Sequence, residues 1–223
     1  MLSLLFPHTC ASCQSDLLER DSEVCGPCLL DLPETGFTGL PDNPVEKLFW
    51  GRLPLQSASS LYYFNKGGAI QKLLHEIKYK GNRDLAIQLG KNLGKAIAQF
   101  HAPGSLDALI PLPLFPKKER QRGYNQAQLI SEGISLVTGL PVWSDIVIRP
   151  EHTETQTKKG RLERWKNIEG KFELKDPDTI KGKTLLLVDD VVTTGATLDS
   201  CGQELLKAGN ITLHIAVLCI AGS

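Results

Sequence analysis

Apolar positions along this 223-residue chain alternate between two rhythms. Leu61-Tyr62-Tyr63-Phe64, Ala108-Leu109-Ile110-Pro111-Leu112, Leu185-Leu186-Leu187-Val188 and Ile211 to Leu218 are short, nearly unbroken apolar runs. Runs of this kind read as strands, and the branched run at Leu185–Val188 reads as one buried on both faces. Between them the apolar residues keep helical spacing: Ile70, Leu73, Leu74 and Ile77, then Leu85, Leu89, Leu93, Ile97 and Phe100. Ile130, Gly133, Ile134 and Val137 continue a helix that stops at Gly139, and Leu198, Cys201, Leu205 and Leu206 mark another with Gly209 as its C′ residue. Strands alternating with helices predict an α/β fold, a parallel sheet with helices on both faces. Prolines truncate the strand at 108–112. Residues 31–50, with Pro33, Gly36, Gly39, Pro41 and Pro44, read as a linker without regular structure.

One junction in this pattern carries chemistry. The strand Leu185–Val188 runs into Asp189 and Asp190, then into Val191-Val192-Thr193-Thr194-Gly195-Ala196-Thr197, and then into the helix. Gly195 allows close backbone approach, three threonines offer hydroxyls, and a helix start offers free N–H groups. Together they make an anion site suited to a phosphate. Two carboxylates beside a phosphate need other partners, and sugar hydroxyls or a divalent cation serve. A ribose 5-phosphate satisfies both halves of the loop. A nucleotide-hydrolase reading requires a glycine-rich phosphate loop, and Gly182-Lys183-Thr184 has Pro177 where its first glycine belongs, so that reading fails.

The cysteines divide into two sets. Cys10, Cys13, Cys25 and Cys28 form two C-x-x-C knuckles eleven residues apart, whereas Cys201 and Cys219 lie far along the chain as buried residues. Four thiolates at that spacing suit a tetrahedral Zn²⁺, and the segment is too short for a core of its own, so the metal supplies its folding energy. Two disulfides are the structural alternative. His8 stands near but is surplus to a four-cysteine site. The chain thus divides into a zinc ribbon and linker over 1–50 and an α/β domain over 51–223.

Composition narrows the setting. Apolar residues make up 41%, enough for a packed core, and Lys plus Arg balance Asp plus Glu at 25 each. Zero net charge argues against a protein that coats nucleic acid, so any such contact must use a local patch. No apolar run approaches the roughly 18 residues of a membrane span, and Met1 to Phe6 lack the basic flank of a signal peptide. The cytoplasm is the expected address.

Two basic segments complete the picture. Lys117-Lys118-Glu119-Arg120-Gln121-Arg122-Gly123 follows a predicted strand, and there Arg122 with the Gly123 backbone can reach a dianionic group lying across the strand ends. Arg149 to Lys166, with Thr153, Gln156, Lys158, Lys159, Arg161 and Arg164, sits between two predicted strands and reads as a lid loop.

Val188 to Thr197 resembles the signature that binds 5-phosphoribosyl 1-pyrophosphate (PRPP) in type I phosphoribosyltransferases. Lys78-Tyr79, Arg122-Gly123-Tyr124-Asn125-Gln126, and Arg149, Thr153, Gln156, Arg164, Asn167 and Phe172 are similar to motifs of the ComF family, as is a four-cysteine ribbon ahead of such a domain. The family form commonly has phenylalanine where Tyr124 stands. The resemblance implies a type I phosphoribosyltransferase fold with an N-terminal zinc ribbon. It also implies displacement of pyrophosphate from ribose C1, with Mg²⁺ bridging the sugar hydroxyls and the pyrophosphate. Asp189 and Asp190 would hold the ribose hydroxyls, and Thr193, Thr194, Gly195, Ala196 and Thr197 would cradle the 5-phosphate. Arg122, Gly123 and Arg164 would take the pyrophosphate. Three functions stay open: a transferase with an unnamed nucleophile, an accessory of DNA uptake that binds PRPP and single-stranded DNA, and a PRPP sensor. The expected partners are PRPP, single-stranded DNA or the competence machinery, and a second copy of the chain in a homodimer.

Overall fold

The computed structural model describes residues 9–16, 19, 21–150 and 172–222. The loop segment expected at Arg149 to Asn167 therefore falls, apart from Arg149 and Pro150, outside the described residues, and Arg164 with it. In chain order the elements are α1 (Gly26–Leu30), α2 (Pro44–Lys47), β1 (Ser57–Phe64), α3 (Ala69–Tyr79), α4 (Arg83–Phe100) and β2 (Ala108–Pro111). They continue with α5 (Pro116–Arg122), α6 (Gln126–Thr138), β3 (Val147–Ile148), β4 (Glu173–Leu174), α7 (Pro177–Ile180), β5 (Thr184–Val192), α8 (Ala196–Leu206) and β6 (Thr212–Ala221).

The main sheet runs β1-β6-β5-β2, every neighbouring pair parallel. Both of its outer strands are covered. Thr35 N donates to Leu61 O and Tyr63 N to Pro33 O on the β1 side, while Leu109 N donates to Pro141 O and Trp143 N to Leu109 O on the β2 side. Covered edges have no free backbone row with which to recruit another strand. The short β3 and β4 pair antiparallel beside it.

Side chains alternate across a strand, and the core obeys that rule. Leu186 and Val188 pack with Leu73, Leu89 and Ile130 from α3, α4 and α6, whereas Leu185 and Leu187 pack with Phe49, Leu198 and Leu205 on the opposite face. Cys10, Val24 and Cys25 belong to the first of these clusters. The N-terminal segment is also tied to α4 by polar contacts. Glu23 N donates to Gln88 Oε1 at 2.7 Å, Asn82 Nδ2 donates to Glu23 Oε2 at 2.8 Å, and Gln88 Nε2 donates to Ser22 Oγ at 2.9 Å.

Two expectations change, and one unassigned segment gains an element. Strand β5 does not stop at Val188 but continues through both aspartates to Val192, because Val191 and Val192 keep pairing with Cys219 and Ile220 of β6. The charge run at 117–122, given no element by its apolar pattern, forms a helix: Pro116 at the first helical position opens α5, and left-handed Gly123 (φ 80°) closes it. Residues 31–50 are not wholly irregular either. Asn43 caps α2 by accepting from Val45 N and Glu46 N, and Val45 and Phe49 are buried.

Helices α4 and α6 touch through glycine. A Cβ on Gly133 would lie 2.2 Å from the Ile87 carbonyl oxygen, and one on Gly90 would lie 2.3 Å from that of Ile130. Backbone cannot yield as a side chain can, so Gly133→Ala is expected to destabilise the chain by about 1–3 kcal/mol despite alanine's better helix propensity. Urea denaturation reads this directly, and an unchanged midpoint would contradict the close packing.

At the other end of the sheet from the strand tips, His214 Nδ1 lies 2.7 Å from Ser57 Oγ and the His101 ring stands edge-on at 5.0 Å. Burial, with His101 adding to it, pushes the His214 pKa down from 6.5 to about 4. The unfolded chain therefore binds the proton first as pH falls. His214's contribution to stability is full above pH 6.5 and is lost between there and pH 4, at no more than about 1.4 kcal/mol per pH unit. His214→Gln is expected to flatten the stability–pH slope in that window, which denaturation midpoints at pH 7.5 and 5 will show.

Candidate functional site

The carboxyl ends of β2 and β5 lie side by side, since Ile110 pairs with Leu187, Pro111 pairs with Val188, and Leu112 N donates to Val188 O. This is where open α/β sheets place ligands. At that end β5 delivers Asp189 and Asp190, both buried (9% and 5% exposed). Strand alternation splits the pair: Asp190 continues the face of Leu186 and Val188, and Asp189 that of Leu185 and Leu187.

Each carboxylate consequently has its own surroundings. Asp190 Oδ2 meets the Lys78 ammonium from α3 at 2.5 Å. Asp189 Oδ1 accepts from the Asp190 N–H at 2.8 Å, and its face looks toward the buried thiol of Cys201. Burial, reinforced by the neighbouring Asp190 charge, holds the Asp189 carboxyl well above the usual carboxylate range. Hard carboxylate oxygens that already accept a cation fit a divalent metal such as Mg²⁺.

Beyond the strand, Thr193, Thr194, Ala196 and Thr197 are exposed and Gly195 is buried. Gly195 is the N-cap of α8, left-handed at φ 75°, with no side chain to cap the helix. Among the first N–H groups, Ala196 N reaches Thr194 Oγ1 only at 3.4 Å. The N-terminus of an eleven-residue helix and three hydroxyls thus face one loop.

The segment after α2 braces this loop from beneath. Arg52 Nη2 donates to Thr194 O at 2.9 Å and also reaches Leu48 O, Nη1 lies 4.0 Å from Asp199 Oδ2, and Gln203 Nε2 donates to Arg52 O. Gly195 is packed so tightly that a Cβ would stand 3.0 Å from the Phe49 ring. Phe49 and Arg52 escaped the sequence reading because nothing in a proline-rich stretch signals that it lies against residues 194–203. Lys78 entered it only through the Lys78-Tyr79 motif.

Arg122 ends α5, at the same end of the sheet, and its Nη1 donates to Gln126 Oε1 of α6. The rest of its motif is structural. Asn125 caps α6 by accepting from Ala127 N and donates to Leu112 O at 3.0 Å, which ties the turn to the end of β2. The Tyr124 hydroxyl donates to the Ile77 carbonyl, and the Arg83 guanidinium lies 5.3 Å over its ring. The Tyr124 hydroxyl thereby holds the residue next to Lys78. Arg149 is stacked between Phe115 (5.7 Å) and Phe172 (5.3 Å), joining the approach to α5 to the chain that enters β4.

The second constellation is the cysteine cluster. The Sγ atoms of Cys10, Cys13, Cys25 and Cys28 all lie within 4.8 Å of one another, and those of Cys13 and Cys25 are 3.8 Å apart. The edge of a tetrahedron with 2.3 Å metal–sulfur bonds is about 3.8 Å. All six cysteines are free thiols, which sets the disulfide alternative aside. Cys25 N donates to Cys10 Sγ at 3.3 Å. Burial raises the Cys10 pKa, but backbone N–H groups of Cys13, Cys25 and Ser12 together bring it below its ordinary value. The Ser15 hydroxyl lowers Cys13 to about 6, and burial pushes Cys28 up to about 12. Cys201 and Cys219 are fully buried, and burial raises both thiols.

A parallel sheet that ends in paired aspartates and a threonine-rich helix start defines a type I phosphoribosyltransferase fold, and the phosphoribosyl transferase domain family matches residues 135–223. Competence protein F of Haemophilus influenzae is 30% identical over 92% of this chain and 80% of its own length. The DNA utilization protein YhgH of Salmonella typhi is 26% identical over 97% and 98%, and competence protein ComFC of Bacillus subtilis is 28% identical over 93% and 82%. The chain belongs to the ComF family. Among the described residues no helix is long and apolar enough to cross a membrane.

Proposed function

We propose that this protein binds PRPP with Mg²⁺ at the end of β5 and transfers its 5-phosphoribosyl group to a nitrogen nucleophile. The bond from ribose C1 to the pyrophosphate oxygen breaks, a bond from C1 to nitrogen forms, pyrophosphate leaves, and the nitrogen sheds its proton to solvent. The observation that carries this reading is the split carboxylate pair set one turn from an uncapped, hydroxyl-lined helix start. Thr193 to Thr197 take the 5-phosphate through backbone N–H and hydroxyl groups. Asp189 and Asp190 take the ribose hydroxyls as hydrogen-bond acceptors. Mg²⁺, when bound, neutralises charge on the departing pyrophosphate. Arg122 at the end of α5 takes pyrophosphate oxygens, with Arg164 assigned to the same group by the family resemblance. Arg52 keeps the Thr194 carbonyl turned away from the phosphate by donating a hydrogen bond to it.

A second reading rests on the names of the relatives, a competence protein and a DNA utilization protein. In it the chain serves DNA uptake and PRPP is a ligand rather than a substrate. Pyrophosphate release on mixing PRPP with ammonia or nucleobases separates the two readings. We also propose that the four cysteines hold one structural Zn²⁺.

Calorimetry with PRPP and Mg²⁺ tests the ligand. Asp190→Asn is expected to weaken binding by about tenfold or more, the range for losing a charge-assisted hydrogen bond of roughly 1.5–3 kcal/mol. Equal affinity in the two proteins would place PRPP elsewhere. For the metal, elemental analysis of reduced protein is expected to find about one zinc per chain. Because Cys10 and Cys25 share the α3–α4 core, chelation should lower the melting temperature of the whole chain. Zinc-free protein with the same melting temperature would contradict both statements.

A further inference from the structure

The ion pair between Lys78 and Asp190 stands where ligand binding must disturb it. Lys78 Nζ stands 2.5 Å from Asp190 Oδ2, with the two side chains 25% and 6% exposed. A divalent cation that uses Asp190 needs the oxygen that the ammonium now holds. The ammonium cannot drift far, because the backbone beside it is anchored. Ile77 is fully buried, its carbonyl accepts the Tyr124 hydroxyl, and the Tyr124 ring is buried beneath Arg83. A tethered group of this kind competes at high effective concentration. Its four-carbon stem still allows the head to swing to a new partner.

We propose that Lys78 is a tethered counterion that keeps divalent metal off Asp190 until PRPP arrives. The inference rests on the PRPP reading given above. Without ligand, Lys78 neutralises Asp190, and a metal ion alone gains too little from one carboxylate to displace it. PRPP brings phosphate oxygens of its own. These supply further metal ligands and offer the displaced ammonium a second anion, so metal and PRPP enter together and Lys78 moves from Asp190 to the pyrophosphate. The same exchange avoids leaving a buried carboxylate uncompensated between turnovers. Lys78 therefore acts as a positioning residue for the metal and as a contact for the pyrophosphate.

Mn²⁺ in place of Mg²⁺ makes the exchange visible by electron paramagnetic resonance of the free ion, using the full chain at pH 8. Wild type is expected to bind Mn²⁺ weakly alone and at least about tenfold more tightly with PRPP. Lys78→Gln is expected to bind Mn²⁺ alone about tenfold more tightly than wild type, to lose PRPP affinity, and to lose the Mn²⁺ gain when combined with Asp190→Asn. Lys78→Arg is expected to behave as wild type toward Mn²⁺ alone. Tight Mn²⁺ binding by wild type without PRPP overturns the proposal and needs no variant. So does a Lys78→Gln protein, folded by circular dichroism, whose affinity for Mn²⁺ alone is unchanged or weaker. A gain of Mn²⁺ in Lys78→Gln with no PRPP binding by wild type would instead leave Lys78 as the counterion of Asp190 and overturn the PRPP reading.

Discussion

A carboxylate taken out of water must be paired, hydrogen-bonded or protonated, and β5 takes two out in succession at the edge of an apolar core. The rest of the site follows from how the two demands are met. Strand alternation gives the aspartates different nearest partners: Asp190 meets the Lys78 ammonium from α3, while Asp189 accepts a backbone N–H and, buried beside the Asp190 charge, has a raised pKa. Two chemically different carboxyl groups result from two identical residues.

The elements around β5 hold this arrangement in place from three sides. Tyr124 fixes the end of α3 through the Ile77 carbonyl, and Asn125 fixes the start of α6 to the end of β2. From below, Arg52 and Phe49 brace the loop that precedes α8. The cysteine cluster joins the same packing through Cys10, Val24 and Cys25, and through the contacts of Ser22 and Glu23 with α4. A metal there would stiffen α4, which packs against α3 and α6, the helices nearest Asp190.

Sequence patterning carries the architecture well where burial imposes a period. The helices at 69–79, 83–100, 126–138 and 196–206 and all four strands of the main sheet announce themselves through apolar spacing. It fails where a short element is held by tertiary contacts. The charged α5 shows no apolar stripe, yet Pro116 and Gly123 delimit it, and α2 hides among prolines because its cap, Asn43, signals only locally. The aspartate–threonine loop is visible as chemistry, whereas its controls are not. Lys78 and Arg52 are lysine and arginine like many others until the sheet brings α3 and the stretch after α2 to the end of β5.

The most direct test of this account is a crystal structure of the full chain grown with PRPP and Mg²⁺. The account requires the 5-phosphate to sit within hydrogen-bond distance of backbone N–H groups between Thr193 and Thr197, the ribose edge to face Asp189 and Asp190, and Lys78 Nζ to have left Asp190 for the pyrophosphate. A PRPP molecule bound away from this loop, or one bound in it while Lys78 still holds Asp190, would contradict the account.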